Sequence, residues 1–447
     1  MLLTEQEART ITEKLLSFVK ADDASVGVNS ENLAHLRFAE NSFLTSGQTE
    51  NRGASVTVWI GGKRGAANTN DLDDASLRAT VEQAEQIARL APVDREYLPS
   101  LGKQTYKPVN AFVEATANIS LSARAKAIGD ILTMSEKEKV VTAGFHQSRA
   151  RASAFATKNG NFGFDRTTVV SLSVTPRTAD GTSSGYFSRN HFDVSRLDTN
   201  RIAREAIRKT LEGRNARTME PGIYNVILEP QAVADILGGL AFGFDARSAE
   251  EGRSPYSMAG GKTRKGEKIF DERVSIYSDP WNPELPGSQS AQGGIPAQRI
   301  YLVKNGVLEN LIFSRFWAKQ KGGEPTPGPV NTIMETSAKT ATMDEMIRSM
   351  QKGLIISRFW YIRSTDPRTA SSTGLTRDGV WYVENGKIQY PVKNFRFNQS
   401  VVQMLAPGNV EMMGTPERVG SGEGGNASLL PALKLKAFNF TSQSEAV

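Results

Sequence analysis

Apolar residues recur at helical spacing through Ala8, Ile11, Leu15, Phe18 and Val19, behind a Thr4–Glu7 pair of the capping-box type. A first helix is predicted to run to Lys20. The period then shortens: from Ser25 to Asn68 the chain reads as short β runs, clearest where Val56, Val58 and Ile60 alternate ahead of a Gly61-Gly62 turn. Leu77, Val81, Ala84, Ile87 and Ala88 restore the helical period after "NDLDD". A third helix is expected from Ser120 to about Lys137, then strands around an Asn159-Gly160 turn, a β run over Val169–Val174, and a helix from Asp198 or Thr199 to Gly213.

The pattern resets at "NARTMEPGIYNVILEP", where a polar linker with Pro221-Gly222 precedes a dense apolar strand, Ile223–Leu228. Two domains are therefore expected, an α+β unit over residues 1–215 and a β-rich unit over 216–447. The second unit carries Asn-Gly hairpins in "RIYLVKNGVLENLIF" and "VWYVENGKIQYPV" and long Gly/Pro/Ser-rich loops at 252–268, 279–296, 321–331 and 414–428. Loops of this length are commonly functional or mobile. The near-repeat "LIFSRFW" at 311–317 and "LIISRFW" at 354–360 reads as two buried strands with similar ends, since no third copy supports a repeat architecture.

Composition narrows the chemistry. A chain of 447 residues with 39% hydrophobic and 23% charged content is that of a globular protein. No apolar run is long enough to span a membrane, and charges interrupt the first residues where a signal peptide's apolar segment would lie, so a cytoplasmic location is expected. The net charge of +6 is small for this length, and its one basic cluster, "KTRKGEK" at 262–268, comes with no recognition motif. A solvated basic loop is the reading there, and no nucleic acid is expected as partner.

Zero cysteines removes thiolate nucleophiles and Cys-containing zinc sites. The three histidines, His35, His146 and His191, all lie in the first half on expected strands, and none shares metal-ligand spacing with another. No Gly-x-Ser-x-Gly elbow occurs, and the Gly-Gly-Lys-Thr at 260–263 lacks the strand and helix that flank a phosphate loop. What remains is "FGFDARSAEEGRSP", Phe242 to Pro255. Val233, Ile236, Leu237, Leu240 and Phe244 form one apolar face, predicting a helix from about Gln231 into the Asp245 region. On such a helix Asp245 and Glu250 stand roughly 140° apart and converge only if it bends or ends. Arg247 and Arg253 offer the alternative of exposed, paired carboxylates.

Taken with "RFAENSFLTSGQTENRGASVTVWIGGKRGAANTNDLDDASLRATVEQAEQIA", "EPGIYNVILEPQAVADILGGL", "GGIPAQRIYLVKNGVLENLIFSRFWA" and "VWYVENGKIQYPVKNFRFN", this stretch resembles the TldD/PmbA family over nearly the whole chain. TldD members carry His-Glu-x-x-x-His here and a Cys ligand in a Gly-rich segment near the C-terminus. The resemblance sets Asp245 at the first His, Ala246 at the Glu, Glu250 at the second His and Ser421 at the Cys. It implies no zinc and no other cofactor in this chain, because two carboxylates and a hydroxyl bind a hard cation only weakly and Ala246 accepts no proton.

The resemblance further implies a PmbA/TldE-like, non-catalytic subunit, paired with a zinc-bearing TldD-like metalloprotease subunit or with itself, that encloses unfolded or extended peptides. Two other readings stay open. One is a self-sufficient homodimeric hydrolase using the carboxylates of Asp245 and Glu250, and the other is a peptide-binding scaffold.

Overall fold

Strands far longer than the pattern announced build the first half of the chain. The computed structural model describes residues 2–420 and 427–444. Helix α1 (Glu5–Phe18) begins at a reciprocal capping box, Glu7 N–H donating to Thr4 Oγ1 at 3.2 Å and Thr4 N–H to Glu7 Oε2 at 2.8 Å. Then come β1 (Asp23–Ala39), β2 (Ser42–Ile60), β3 (Lys63–Thr69), α2 (Asp74–Leu90), a single turn α3 (Glu114–Ala117), α4 (Leu121–Lys137), β4 (Val140–Thr157), β5 (Phe162–Thr178), β6 (Phe187–His191) and α5 (Thr199–Glu212). The strands form one antiparallel sheet in the order β3-β2-β1-β4-β5-β6.

Sequence periodicity sees only short runs here because the helices cover one face of the sheet. Val26, Val28, Val56 and Val58 point at α1 and α2, and Leu36, Phe38, Val170, Leu172 and Val174 at α4 and α5, while β2 is largely exposed from Ser42 to Arg52. Packing of α2 on β3 is close enough that a Cβ on Gly65 would lie 2.0 Å from the Ala84 carbonyl oxygen, so only glycine fits.

The second half comprises β7 (Gly222–Leu228), α6 (Pro230–Leu237), α7 (Ala246–Glu250), β8 (Ser275–Ser278), β9 (Ile300–Lys304), β10 (Val307–Leu308), α8 (Arg315–Gln320), β11 (Thr332–Glu335), α9 (Met343–Arg348), β12 (Lys352–Asp366), β13 (Ser371–Glu384), β14 (Lys387–Pro391), β15 (Phe395–Ser400), α10 (Val401–Met404), β16 (Val410–Met413), β17 (Glu417–Gly420), β18 (Ala427–Leu430) and β19 (Leu433–Gln443). Both Asn-Gly turns occur as expected, with Asn305 and Asn385 at φ of 47° and 50°. One sheet runs β10-β9-β8-β11-β18-β17. In the other, β12 pairs β7, β7 pairs β19, β19 pairs β15, β15 pairs β13 and β13 pairs β12 again, which closes a ring. Phe359, Phe397 and Phe438 pack in its core, with Phe359 and Phe438 stacked at 5.3 Å.

The architecture is α+β with extensive sheets. Its halves meet through polar groups: Lys209 of α5 bonds Glu229 Oε2 at 2.5 Å and Ser357 Oγ at 2.6 Å, and Ser184 Oγ donates to Asp378 at 2.6 Å.

The two similar heptapeptides part company. Residues 354–360 lie in β12 as expected, but 311–317 are not a strand: Ser314 caps α8, accepting from Trp317 N–H at 3.2 Å. The same Ser-Arg-Phe-Trp is strand where β13 pairs with Arg358 to Trp360 and helix start where no strand partner is present among the described residues.

Candidate functional site

The helix predicted from Gln231 into the Asp245 region stops at Leu237. Gly238 and Gly239 begin a 3₁₀ segment to Phe244, and the extended backbone of Asp245 (φ −66°, ψ 120°) interrupts the coil before α7 restarts it. Leu240 and Phe244 stay buried, so the apolar spacing holds through the change of geometry. The consequence falls on the acids. Asp245 is the N-cap of α7, accepting from Ser248 N–H at 2.7 Å, and its backbone bridges Ile312.

The other carboxylates of the stretch are also engaged. Glu250 Oε2 accepts from Trp317 Nε1 at 3.1 Å and meets Lys321 Nζ at 2.6 Å, with its side chain only 15% exposed. Glu251 is held by Arg247 at 2.9 Å and Arg253 at 2.6 Å, and these two guanidinium bonds keep its carboxyl below the usual carboxylate range. Arg247 also reaches across to Glu96 at 2.7 Å and lies over the Trp317 ring at 5.1 Å. Ala246, which the resemblance sets at the position of a general base, is a fully buried methyl group.

A zinc ion of the catalytic kind needs about three strong donors and an open position. Here the oxygens of Asp245 and Glu250 already accept from an amide, an indole and an ammonium group, and among the described residues no three His, Cys, Asp or Glu side chains come together to hold a metal. The described donors do not fit zinc. Ser421 lies outside the described residues.

Two features escaped the sequence reading because their members are far apart along the chain. One is Asp235 on α6, accepting from Gln231 Nε2 at 2.8 Å and Phe359 N–H at 2.9 Å; burial pushes its carboxyl up to about 6, against the pull of those bonds and of Arg358. The other is a cleft of about 850 Å³ between β6, the start of α5 and the loops of the second half, lined by His191, Arg418 and Glu284 among others. The expected strand positions of His35, His146 and His191 hold, on β1, β4 and β6. His146 is buried beside Arg124, and the two effects bring its imidazole down to about 4.

Comparison with known proteins accounts for nearly all of this architecture. The family model described as PmbA/TldA metallopeptidase domain 1 matches residues 24–88, the central domain 109–214, and the C-terminal domain 221–442. The first two share the single N-terminal sheet. An uncharacterised protein of Methanocaldococcus jannaschii is 24% identical over 409 residues, covering 87% of this chain and 88% of its own. A Haemophilus influenzae protein named metalloprotease PmbA homolog is 21% identical over 415 residues, 87% of this chain and 85% of its own. The crystal structure of TldE from Thermococcus kodakarensis superposes with a TM-score of 0.85 at 16% identity, covering 97% of this chain and 99% of that one. No helix among the described residues is long and apolar enough to cross a membrane. With three successive domain matches in register from residue 24 to 442 and the same fold throughout, the chain belongs to the PmbA/TldD metallopeptidase family.

Proposed function

We propose that this chain is the PmbA/TldE-type, non-catalytic subunit of a TldD-type metalloprotease. In this reading it acts in the cytoplasm on unfolded or extended peptides while a TldD-like partner holds the zinc. The observation that carries the reading is the fate of the 245–250 stretch: Asp245 serves as a helix cap, Glu250 is neutralised by Lys321, and Ala246 offers no base. A metal brought there would have to displace an ammonium group at 2.6 Å from the carboxylate. Peptide contact by strand addition is supported by β2, which β3 pairs only from Ala54 to Ile60, leaving one backbone edge from Ser42 to Thr49 without a strand partner among the described residues.

Produced alone and supplied with zinc, the chain should show no peptide hydrolysis above background. Co-expressed with a homologue bearing His-Glu-x-x-x-His, it should co-purify, and metal analysis of the separated subunits should find zinc in the homologue only. Chelator-sensitive, zinc-restored cleavage by the isolated chain would falsify the reading.

A further inference from the structure

The cleft between the halves contains donors that, among the described residues, have no carboxylate within hydrogen-bond distance. His191 is 6% exposed, and its Nδ1 accepts the Asp193 amide at 2.9 Å, so in the neutral ring the proton sits on Nε2. That Nε2 is buried without a hydrogen-bond partner among the described residues; the carboxylate oxygen of Glu284 stands 3.8 Å away, beyond hydrogen-bond reach. Arg418, half-buried beside it, donates to Asn190 Oδ1 at 2.9 Å and to the Glu284 carbonyl at 2.7 Å, both uncharged, and burial brings its guanidinium down to about 10. Arg201, exposed at the cleft wall on α5, makes no side-chain ion pair among the described residues.

The four acids of the cleft are occupied elsewhere: Asp198 accepts from the Arg201 amide at 2.8 Å, Glu417 pairs with Arg189 at 2.5 Å, Glu284 with Arg196 at 3.1 Å, and Glu335 accepts from Tyr277 at 2.9 Å. The Glu284 carboxylate acts on both groups through space only, so among the described residues neither has a carboxylate within hydrogen-bond distance, and such donors are costly unless a ligand supplies one.

The geometry points to a carboxylate-binding site: we infer that the cleft seats the C-terminal carboxylate of a bound peptide against His191 Nε2 and the Arg418 guanidinium, with Arg201 at the wall. The volume of about 850 Å³ suits several residues of an extended chain and lies within the roughly 300–1,000 Å³ of ligand clefts. A singly charged carboxylate fits better than a phosphate dianion, because Glu284, Glu335 and Glu417 surround the donors. This inference rests on the peptide-binding reading above.

The chain has only three histidines, so selective imidazole labelling gives a simple NMR spectrum in which His191→Gln identifies the His191 signal. The intact chain is titrated with a decapeptide as free acid, with its C-terminal amide, and with inorganic phosphate. The expected result is that the free acid binds about tenfold more tightly than the amide, raises the pKa of His191, and loses that advantage in Arg201→Ala and Arg418→Gln. Equal binding of acid and amide, or an advantage that survives both substitutions, overturns the cleft assignment and leaves peptide binding intact. Phosphate moving the His191 signal while neither peptide does assigns the cleft to a free anion and overturns it too. Failure of both peptides and phosphate to bind removes the peptide reading along with this one.

Discussion

Asp235 and His146 give this protein two opposed responses to acid. The folded Asp235 carboxyl titrates near 6 rather than near the ordinary 3.8. Its contribution to stability is therefore complete below about pH 4 and is lost as pH rises through 6. His146, held down to about 4 by burial and Arg124, behaves in reverse: its contribution is present above the ordinary histidine value of 6.5 and is lost as pH falls toward 4. Asp235→Asn removes the first slope, and Gln231, by turning its amide over, can present to the new amide its Oε1, which is buried without a partner among the described residues. Thermal melts from pH 4 to 8 should show the variant gaining on the parent protein as pH rises, with acid sensitivity from His146 left unmasked. A melting difference that does not change with pH contradicts the assignment. The titration of neither group was legible in the sequence, where His146 is a histidine on an expected strand, Asp235 is one more polar residue on an apolar helix, and the latter's partner Phe359 lies 124 positions away.

At the scale of elements, caps and turns were legible and breaks were not. Thr4 with Glu7, Asp198 before α5 and the Asn-Gly turns are local signals, and each formed where local chemistry placed it. The helix break at 238–244 was hidden because a 3₁₀ segment keeps Leu240 and Phe244 facing inward, so the apolar period runs on through a change of geometry. That break turned Asp245 from a residue on a helical face into a cap. Asp245→Ala should therefore cost about 1 kcal/mol in urea unfolding, the usual worth of an N-cap. If the chain is the non-catalytic subunit, the same substitution should leave the peptidase rate of the assembled pair unchanged. A rate falling by orders of magnitude would return Asp245 to the chemistry.

For the whole molecule, the boundary between the halves is a buried polar seam rather than a flexible linker. Lys209, 2% exposed, bonds both Glu229 and Ser357, and no composition shift near residue 220 could have announced this contact. Lys209→Met leaves the Glu229 carboxylate, only 15% exposed, without its cation, and the expected loss is about 3–5 kcal/mol. The double substitution Lys209→Met with Glu229→Gln should recover much of that, since the charge to be matched is gone. Denaturant titration reads both, and equal losses in the two variants would show that Lys209 acts by packing alone.

The closed ring of strands has its own corollary. Gly222, where β7 enters, lies opposite Phe440, near where β19 leaves, so the polypeptide returns almost to its starting point. Chain order around such a loop is arbitrary to the packing: a short tether could join these ends, with fresh termini cut at the exposed turn of Lys321 to Gly323. Evolution and engineers alike are free to reopen this half elsewhere without disturbing a single strand pair.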